Sequence, residues 1–344
     1  MAASALRPSV QPVPVRPPRR GLWFGVAAVV LVIAAAGGGA AWSWRSRPPA
    51  EIVMTLTARG ATPANADLHR AADVLLHRLT AAGYPRARVA VTGDRTLVAT
   101  VAGTADVDGL RLLAQPGRLS LRPVVAGPTI PHTETSGGPS AAPVPPAVLA
   151  KLGAAYPAAQ ALTDPGQVRP DALPALAAFG ALTPGEVATL PAAVQYAVPT
   201  ITCDQLNGRA PGALDDPAAR VVACERTGTA AKYLLDPAAV TAADVTGADV
   251  ELQAASGWTV TISFTPAGQA RWTALTRAAI TYTPSNAVAV VVDNEVIAAP
   301  TVQAVITGDA AVSGAEIDRD AAVRLAALLR YGPLPVTFTA AISR

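Results

Sequence analysis

Three side chains on one stretch of the sequence have the types and spacing of metal ligands. His69, Asp73 and His77 recur every four residues, so on a helix they would lie close to one stripe and could chelate a cation. That stripe runs beside the leucine face of the same helix, where solvated residues belong. We therefore predict that these residues form a solvent-exposed face, and we assign no metal and no cofactor to the sequence.

Catalytic motifs are also absent from the sequence. It contains no GxSxG, SxxK, P-loop or GxGxxG pattern after a strand. The three histidines are the two above and His132, which stands in a Pro-rich stretch. Since no nucleophile and base pair can be proposed, the sequence favours a binding or structural protein over an enzyme.

The chain has two cysteines, Cys203 and Cys224, with polar and turn-forming sequence between them. A redox pair or a metal site would normally show CxxC spacing or nearby histidines, and neither is present. In an oxidising compartment two such thiols are expected to pair. A structural disulfide is the favoured interpretation, and closing its loop would stabilise the fold by about 3 kcal/mol.

An apolar run from Leu22 to Ala41 contains no charged residue and is long enough to span roughly 30 Å as a helix. Tryptophans flank it, and four arginines precede it. The positive-inside rule then predicts a cytoplasmic tail at 1–20, a single membrane anchor at 21–44 and an exported remainder. The alternative is a cleavable signal peptide with a cleavage site near Ala34–Ala36. The net charge of +3 comes mainly from the arginine-rich tail, so no nucleic-acid-binding face is expected.

Residues 50–125 read as a small α+β domain. Alternation predicts strands at 51–58, 88–92 and 96–101, and leucine spacing predicts an amphipathic helix at 65–82. A second helix at 105–114 and a strand from Leu119 to Val125 complete the order β-α-β-β-α-β. This order is that of the ferredoxin-like split arrangement.

Residues 126–200 break this pattern, because proline recurs every few residues and apolar periodicity is weak. We predict a Pro/Ala-rich linker of low order, with one short helix near 184–196.

Regular structure is predicted again in the last third of the chain. Trp258 to Phe264 alternates as a strand, and Thr265-Pro266 is typical of a helix start. Two apolar strands, 287–292 and 296–302, flank the turn Asp293-Asn294 and predict a hairpin. A helix from Asp318 to Arg330 and a strand from Leu334 to Thr339 end the chain.

Four segments resemble motifs of the SecD protein-export family in the correct order. They are Lys232 to Pro237 (KYLLDP), Gly257 to Thr276, Ala289 to Pro300 (AVVVDNEVIAAP) and Leu325 to Pro335 (LAALLRYGPLP). Residues 62–125 are similar, more loosely, to the family's base subdomain, and the cysteine pair resembles that of SecD from high-GC Gram-positive bacteria. Together these matches cover much of the exported part.

The resemblance implies an α+β fold with a ferredoxin-like base and an α/β head, preceded by one transmembrane helix. The head would span 201–317, and a closing helix and strand at 318–344 would return to the base. Asn294 stands where the family has a turn glycine, and we expect it to accept a left-handed backbone. Asp293, Asn294 and Pro300 are expected to fix the hairpin turn and the exit of its strand.

The resemblance also implies a function outside the membrane, that of holding unfolded or nascent secreted polypeptide without covalent chemistry. Its partners would include the Sec translocon or a full-length SecD and SecF. No second apolar segment is visible before the chain ends, so we do not expect proton-driven motor activity. Trp258 and Trp272 could offer an apolar surface to such a polypeptide, although their spacing favours core packing. The alternative is a structural or interaction protein of the cell envelope that reuses the head fold.

Overall fold

A computed structural model describes residues 51–102, 106–128, 143–226, 231–281, 285–314 and 317–343. All described residues belong to one compact unit, Arg47–Arg344. Within the described ranges, no helix has the length and apolar composition of a membrane span. The predicted tail at 1–20 and anchor at 21–44 lie outside the described residues, as does His132.

Strands and helices are numbered along the chain. The strands are β1 (Glu51–Ala58), β2 (Arg88–Val91), β3 (Thr96–Ala102), β4 (Leu119–Ala126), β5 (Val221–Glu225), β6 (Lys232–Leu235), β7 (Val240–Thr241), β8 (Val245–Gln253), β9 (Gly257–Phe264), β10 (Val288–Val292), β11 (Glu295–Ala298), β12 (Ala310–Ser313) and β13 (Phe338–Ser343). The α-helices are α1 (Asn65–Ala81), α2 (Val107–Leu113), α3 (Pro146–Leu152), α4 (Ala155–Gln160), α5 (Ala177–Gly180), α6 (Pro184–Val187), α7 (Ala192–Ala197), α8 (Cys203–Asn207), α9 (Pro266–Ala279) and α10 (Arg319–Arg330). Short 3₁₀ helices occupy Pro165–Gln167, Pro170–Leu176 and Ala242–Asp244.

The base consists of an antiparallel sheet, in the order β13-β1-β3-β2, with α1, α2 and α10 packed on it. Alternate residues of β1, from Ile52 to Ala58, are buried, and they meet leucines of α1 and α2 in one core. Every second residue of the strand is buried, and the helix has a stripe of leucines on one side. Both patterns are expected where one face of a sheet packs against a layer of helices.

One part of the predicted base is wrong. The strand order is the ferredoxin-like one, but its fourth strand is β13 from the end of the chain, which pairs with β1. The predicted fourth strand, Leu119 to Val125, is β4 and belongs to another sheet. Its two faces are both buried, which suits a strand enclosed on each side rather than one in a sheet with a solvated face. The last strand also starts later than predicted, at Phe338.

Five strands close into a small barrel. Their order is β10-β11-β5-β6-β4, and β4 pairs again with β10 to complete the ring. Alternation along each strand separates the inside from the outside: Ala223, Tyr233 and Val291 fill the interior, whereas Val222 and Leu234 face outward. Closure removes the free edges of these strands.

A second sheet, in the order β12-β9-β8, lies with α9 and α10 against one outer face of the barrel. Val288, Val290 and Val292 of β10 meet Trp272 of α9 and Leu325 of α10 in a shared core. The predicted hairpin at 287–302 is therefore present as β10 and β11, and it packs on the two helices predicted to start near 266 and 318.

Residues 143–207, which we call the lobe, fold against the other outer face of the barrel. The prediction of low order is wrong for the described residues 143–200, because α3 to α7 bury apolar side chains such as Phe179, Leu190 and Val198 around a common core. Prolines begin these helices rather than break them: Pro146 and Pro184 occupy first-turn positions. Each helix has only one or two turns, too short to show apolar periodicity in the sequence.

Candidate functional site

An open cleft of about 640 Å³ is formed by α2, the start of α10, strand β11 and the end of β5. Its apolar part includes Leu112 of α2, Ile297 of β11, and Ile317 and Leu325 at α10. The cleft therefore lies between the base and the barrel. Its size is that of a site for a small molecule or a few residues of polypeptide.

Charged side chains surround this apolar surface. The described lining contains three arginines, and each is paired with a carboxylate: Arg324 with Asp106 at 3.2 Å, Arg111 with Asp108 at 2.9 Å, and Arg226 with Glu295. No positive charge in this lining is left without a counter-ion.

Two further carboxylates line the cleft and have hydrogen-bond donors but no cation. Glu225 accepts a 2.6 Å hydrogen bond from the Tyr233 hydroxyl, and burial together with this bond raises the pKa of Tyr233. Asp318 caps α10 by accepting from the backbone N–H of Ala321. The described lining thus has an excess of negative charge, and its groups favour an apolar ligand that carries positive charge.

The loop Ala114–Arg118, which we call the joint, connects α2 of the base to β4 of the barrel, and its Gln115 lines the cleft. Arg78 of α1, which is fully buried, donates to the carbonyl oxygens of Leu113, Gln115 and Pro116 at 2.7–2.9 Å and to Gly332 at 2.6 Å. Burial lowers the pKa of Arg78 to about 10, while the charge of Asp293 opposes that change. Arg78 therefore remains charged at neutral pH and ties α1, the loop and the end of α10 together.

Asp293 holds the same loop from the barrel side. Its carboxylate accepts from the backbone N–H groups of Gly117 and Arg118 at 3.0 Å. Desolvation raises the pKa of Asp293, and the two backbone donors oppose this rise. The residue predicted as a turn former also connects the hairpin to the joint.

Asn294 lies in the predicted turn between β10 and β11, but the prediction that it adopts a left-handed backbone is wrong. Among the described non-glycine residues, Asp293 is the one with a left-handed backbone, at φ 55°. Asn294 is instead buried, and its amide donates to the carbonyl oxygen of Arg209 at 2.8 Å. A buried amide with a carbonyl partner explains an Asn at this position without a positive φ. Pro300 lies just after β11, where its carbonyl accepts from the N–H of Val288 at 3.0 Å.

The two tryptophans proposed for polypeptide binding occupy different positions. Trp272 is 6% exposed and packs in the core beside Phe264, so its ring has no free face for a ligand. Trp258 lies at the tip of the β8–β9 hairpin, is partly buried, and has the guanidinium of Arg319 6.0 Å from its ring centre. Core packing is therefore the role of Trp272, and binding remains a prediction for Trp258 alone.

The residues that could have held a metal do not form a site. His77 is exposed and stacks on Tyr331, with ring centres 5.3 Å apart. In the described ranges, no group of three or more His, Cys, Asp or Glu side chains has metal-binding geometry.

Cys203 and Cys224 form the predicted disulfide, which joins α8 of the lobe to β5 of the barrel. Two basic residues, which sequence reasoning missed, reinforce the same contact: Arg209 is buried and Lys232 is partly buried. Arg209 donates to the carbonyl oxygens of Leu206 and Val222, both at 2.6 Å. Lys232 donates to the carbonyl oxygen of Val198 at 2.6 Å, and burial lowers its pKa to about 7.

The barrel contains another buried cation, Arg122 of β4. It is fully buried and donates to carbonyl oxygens of the segment that precedes β5, including Ala219 at 2.8 Å. Arg122 and Lys232 reach carbonyls far away in the chain, and their only signal in the sequence was a basic residue inside an otherwise apolar stretch.

The comparisons with known proteins agree with the motifs. Residues 219–336 match the family model described as SecDF, P1 head subdomain. The chain is 38% identical over 160 residues to the protein translocase subunit SecD of Streptomyces coelicolor. That match covers 45% of this chain and 28% of the relative, so the chain spans less than a third of the length of SecD.

Two solved structures are similar at lower identity. One, SecDF in a super-membrane-facing form, is 20% identical with a TM-score of 0.47, over 86% of this chain and 30% of the other. The second, of a membrane component SecDF that enhances protein export, is 21% identical with a TM-score of 0.45, over 85% of this chain and 99% of the other. Residues 219–336, which include β5 to β12, α9 and α10, are thus similar to the SecDF P1 head subdomain, and the chain is similar to SecD over part of its length.

Proposed function

We propose that this chain assists protein export outside the membrane by holding unfolded polypeptide without covalent chemistry. The observation that carries the proposal is the cleft between the base and the barrel, which combines an apolar surface with an excess of carboxylates. Such a surface suits a short segment of polypeptide with apolar and basic side chains. The similarity to a translocase subunit supports a role in export.

The proposal is limited to binding. It assigns the chain no enzymatic activity and no proton-driven motor activity, and it places the described residues on the outer side of the membrane behind one anchor. The Sec translocon, or a full-length SecD with SecF, is the proposed partner that would deliver the polypeptide. The two anchored contacts of the barrel, one with the base and one with the lobe, would keep the cleft in a fixed shape while a chain is held.

The envelope alternative has less support. In an envelope protein, residues 126–200 could serve as a spacer, but the described residues 143–200 fold into the lobe and pack on the barrel. A folded lobe does not provide the length that a spacer needs, so we do not propose this role.

Site-specific photo-crosslinking in intact cells tests the proposal. A photoreactive side chain would replace Leu112 or Ile297, both partly buried in the cleft, and newly made secreted proteins would be pulse-labelled. The matched control is the exposed residue Thr80 on α1. We expect crosslinks to nascent secreted chains from the two cleft positions and not from Thr80. Equal crosslinking from all three positions, or none from the cleft, would contradict the proposal.

A further inference from the structure

The three-stranded sheet has an edge that the barrel lacks. Its order is β12-β9-β8, so β8 pairs with β9 on one side and with no strand of the described chain on the other. β8 is nine residues long, from Val245 to Gln253. Natural proteins usually shorten, bulge or cover such an edge, because its unpaired backbone groups can pair with another chain.

One hydrogen bond shows which residues of β8 face this edge. The carbonyl oxygen of Ala248 accepts from the side chain of Arg330 at 2.8 Å, so it points away from β9. The N–H and C=O of one residue point to the same edge, and successive residues alternate. Val250 and Leu252 therefore direct their N–H and C=O outward, and Glu251 directs its own toward β9, opposite Thr259.

The side chains along this edge are apolar at the tip and acidic on the outer face. Leu252 is 67% exposed and lies opposite the partly buried Trp258 of β9. Asp249 and Glu251 are exposed, and their partners across β9 are threonines. Asp249 pairs with Arg330, whereas no described cation pairs with Glu251.

From these observations we infer that the outer edge of β8 binds an extended polypeptide segment by strand addition, with basic and apolar side chains alternating along the segment. The inference rests on the proposed function and adds a second place and a mode of binding to it. Backbone hydrogen bonds to Val250 and Leu252 would be independent of sequence, as a protein that holds many different chains requires. A basic side chain opposite Glu251 and an apolar one beside Leu252 would add cross-strand contacts.

A second copy of this chain is a poorer occupant of the same edge. Two β8 strands paired edge to edge would bring Asp249 and Glu251 of one copy toward the same acidic residues of the other. Like charges opposite each other on paired strands are destabilising. Charge therefore favours a basic segment over self-association.

Hydrogen exchange at residue resolution tests the inference on the full-length chain. The probe is a peptide that alternates lysine and valine, and the matched control peptide alternates glutamate and valine. With the lysine peptide we expect the amides of Val250 and Leu252 to exchange at least about tenfold more slowly, because each gains a hydrogen bond. The amide of Glu251, already directed at β9, should not change, and the glutamate peptide should have little effect.

Variants of β8 provide the affinity measurement. Val250→Pro removes one outward N–H, is compatible with an edge strand, and should weaken binding of the lysine peptide about fivefold in fluorescence anisotropy. Glu251→Lys keeps every backbone group and should shift preference toward the glutamate peptide. If Val250→Pro does not fold, the exchange experiment and Glu251→Lys still test the inference.

The outcomes separate this inference from the proposed function. Binding of the lysine peptide with unprotected Val250 and Leu252 amides would overturn strand addition and leave the cleft proposal standing. Protection that arises without peptide, together with a concentration-dependent dimer, would assign the edge to a second copy and overturn the inference. If the photo-crosslinking from the cleft fails while β8 is protected by the lysine peptide, the cleft proposal fails and the edge remains.

Discussion

The barrel is fixed to its two neighbours by different chemistry. On the base side, Arg78 and Asp293 hold the loop Ala114–Arg118 through hydrogen bonds between buried charges and backbone groups. On the lobe side, the disulfide is covalent, and the buried Arg209 and the partly buried Lys232 add hydrogen bonds to backbone carbonyls. Among the described residues, the base contact has no disulfide to hold it together if one of its hydrogen-bonding partners is removed. We therefore expect it to be the more sensitive to single substitutions, and the lobe contact to be the more sensitive to reductant and pH.

Gly117→Ala should have the largest effect. Gly117 has φ 76°, and an added Cβ would overlap the side chains of Leu328 and Arg78. Backbone strain and overpacking together should lower the free energy of unfolding by about 4 kcal/mol, measured by denaturant titration. The control is Gly83→Ala, because Gly83 also has a positive φ but nothing lies within 4 Å of its added Cβ. That variant should lose only about 1 kcal/mol, and an equal loss in both would show that the joint is not tightly packed.

Arg78→Met should have the second largest effect and lower the free energy of unfolding by about 3–4 kcal/mol. The substitution leaves four backbone carbonyls without their donor and Asp293 buried without its nearby cation. Thermal and denaturant unfolding measure the loss. Arg70→Met is the matched control, since the Arg70 side chain is 65% exposed and its surface pair with Asp67 contributes little. If Arg78→Met lowers the free energy of unfolding by less than loss of the disulfide does, the base contact is not the more sensitive of the two to single substitutions.

Removal of the disulfide, by Cys203→Ser with Cys224→Ser, should lower the free energy of unfolding by about 3 kcal/mol. Hydrogen exchange should rise in the lobe and stay unchanged in the base sheet, because the bond joins α8 to β5. Reductant should reproduce the effect in the wild type and add nothing to the double variant. Equal loosening of the lobe and the base would mean that the two contacts are not independent.

The smallest effect should come from Lys232 and should depend on pH. Its folded pKa of about 7 lies below the ordinary 10.5, so from pH 7 to pH 10 the unfolded chain binds more protons than the folded one. Stability should therefore rise with pH in this window, by about 1 kcal/mol between pH 7 and pH 8. Lys232→Met should abolish this rise, whereas Lys151→Met, at an exposed lysine, should keep it. If the free energy of unfolding changes with pH in the same way in wild type and in Lys232→Met, Lys232 does not contribute to the lobe contact as described.

Local patterns predicted most of the regular elements. Thr265 caps α9 before Pro266 and Asp318 caps α10, as the capping residues indicated. The Asp293-Asn294 turn joins β10 and β11, and the two cysteines form a disulfide. Each of these features depends on neighbouring residues or on a simple pairing, which is why the sequence contains a signal for them.

The cleft and the joint could not be predicted in this way. Arg78 and Gly332 are 254 positions apart, and Gly117 and Asp293 are 176 apart. Asn294 illustrates the limit: its position in the turn was predicted, but the hydrogen bond that its amide donates to the carbonyl oxygen of Arg209, in a distant segment, was not. A hydrogen bond to a backbone carbonyl does not depend on the side chain at the accepting residue, so the sequence carries no sign of it.

Residues close in the chain were enough to predict the helices α1, α2, α9 and α10, the strands β1 to β4 and β9, the hairpin of β10 and β11, and the resemblance to SecD, because periodicity, caps and turns are local. Three features depend on tertiary contacts: β4 belongs to the barrel and not to the base, β13 is the fourth strand of the base sheet, and residues 143–200 are folded. Strand pairing and the burial of short helices depend on surfaces that exist only after distant segments have met. The same reason explains why the cleft, the joint and the free edge of β8 are properties of the folded chain.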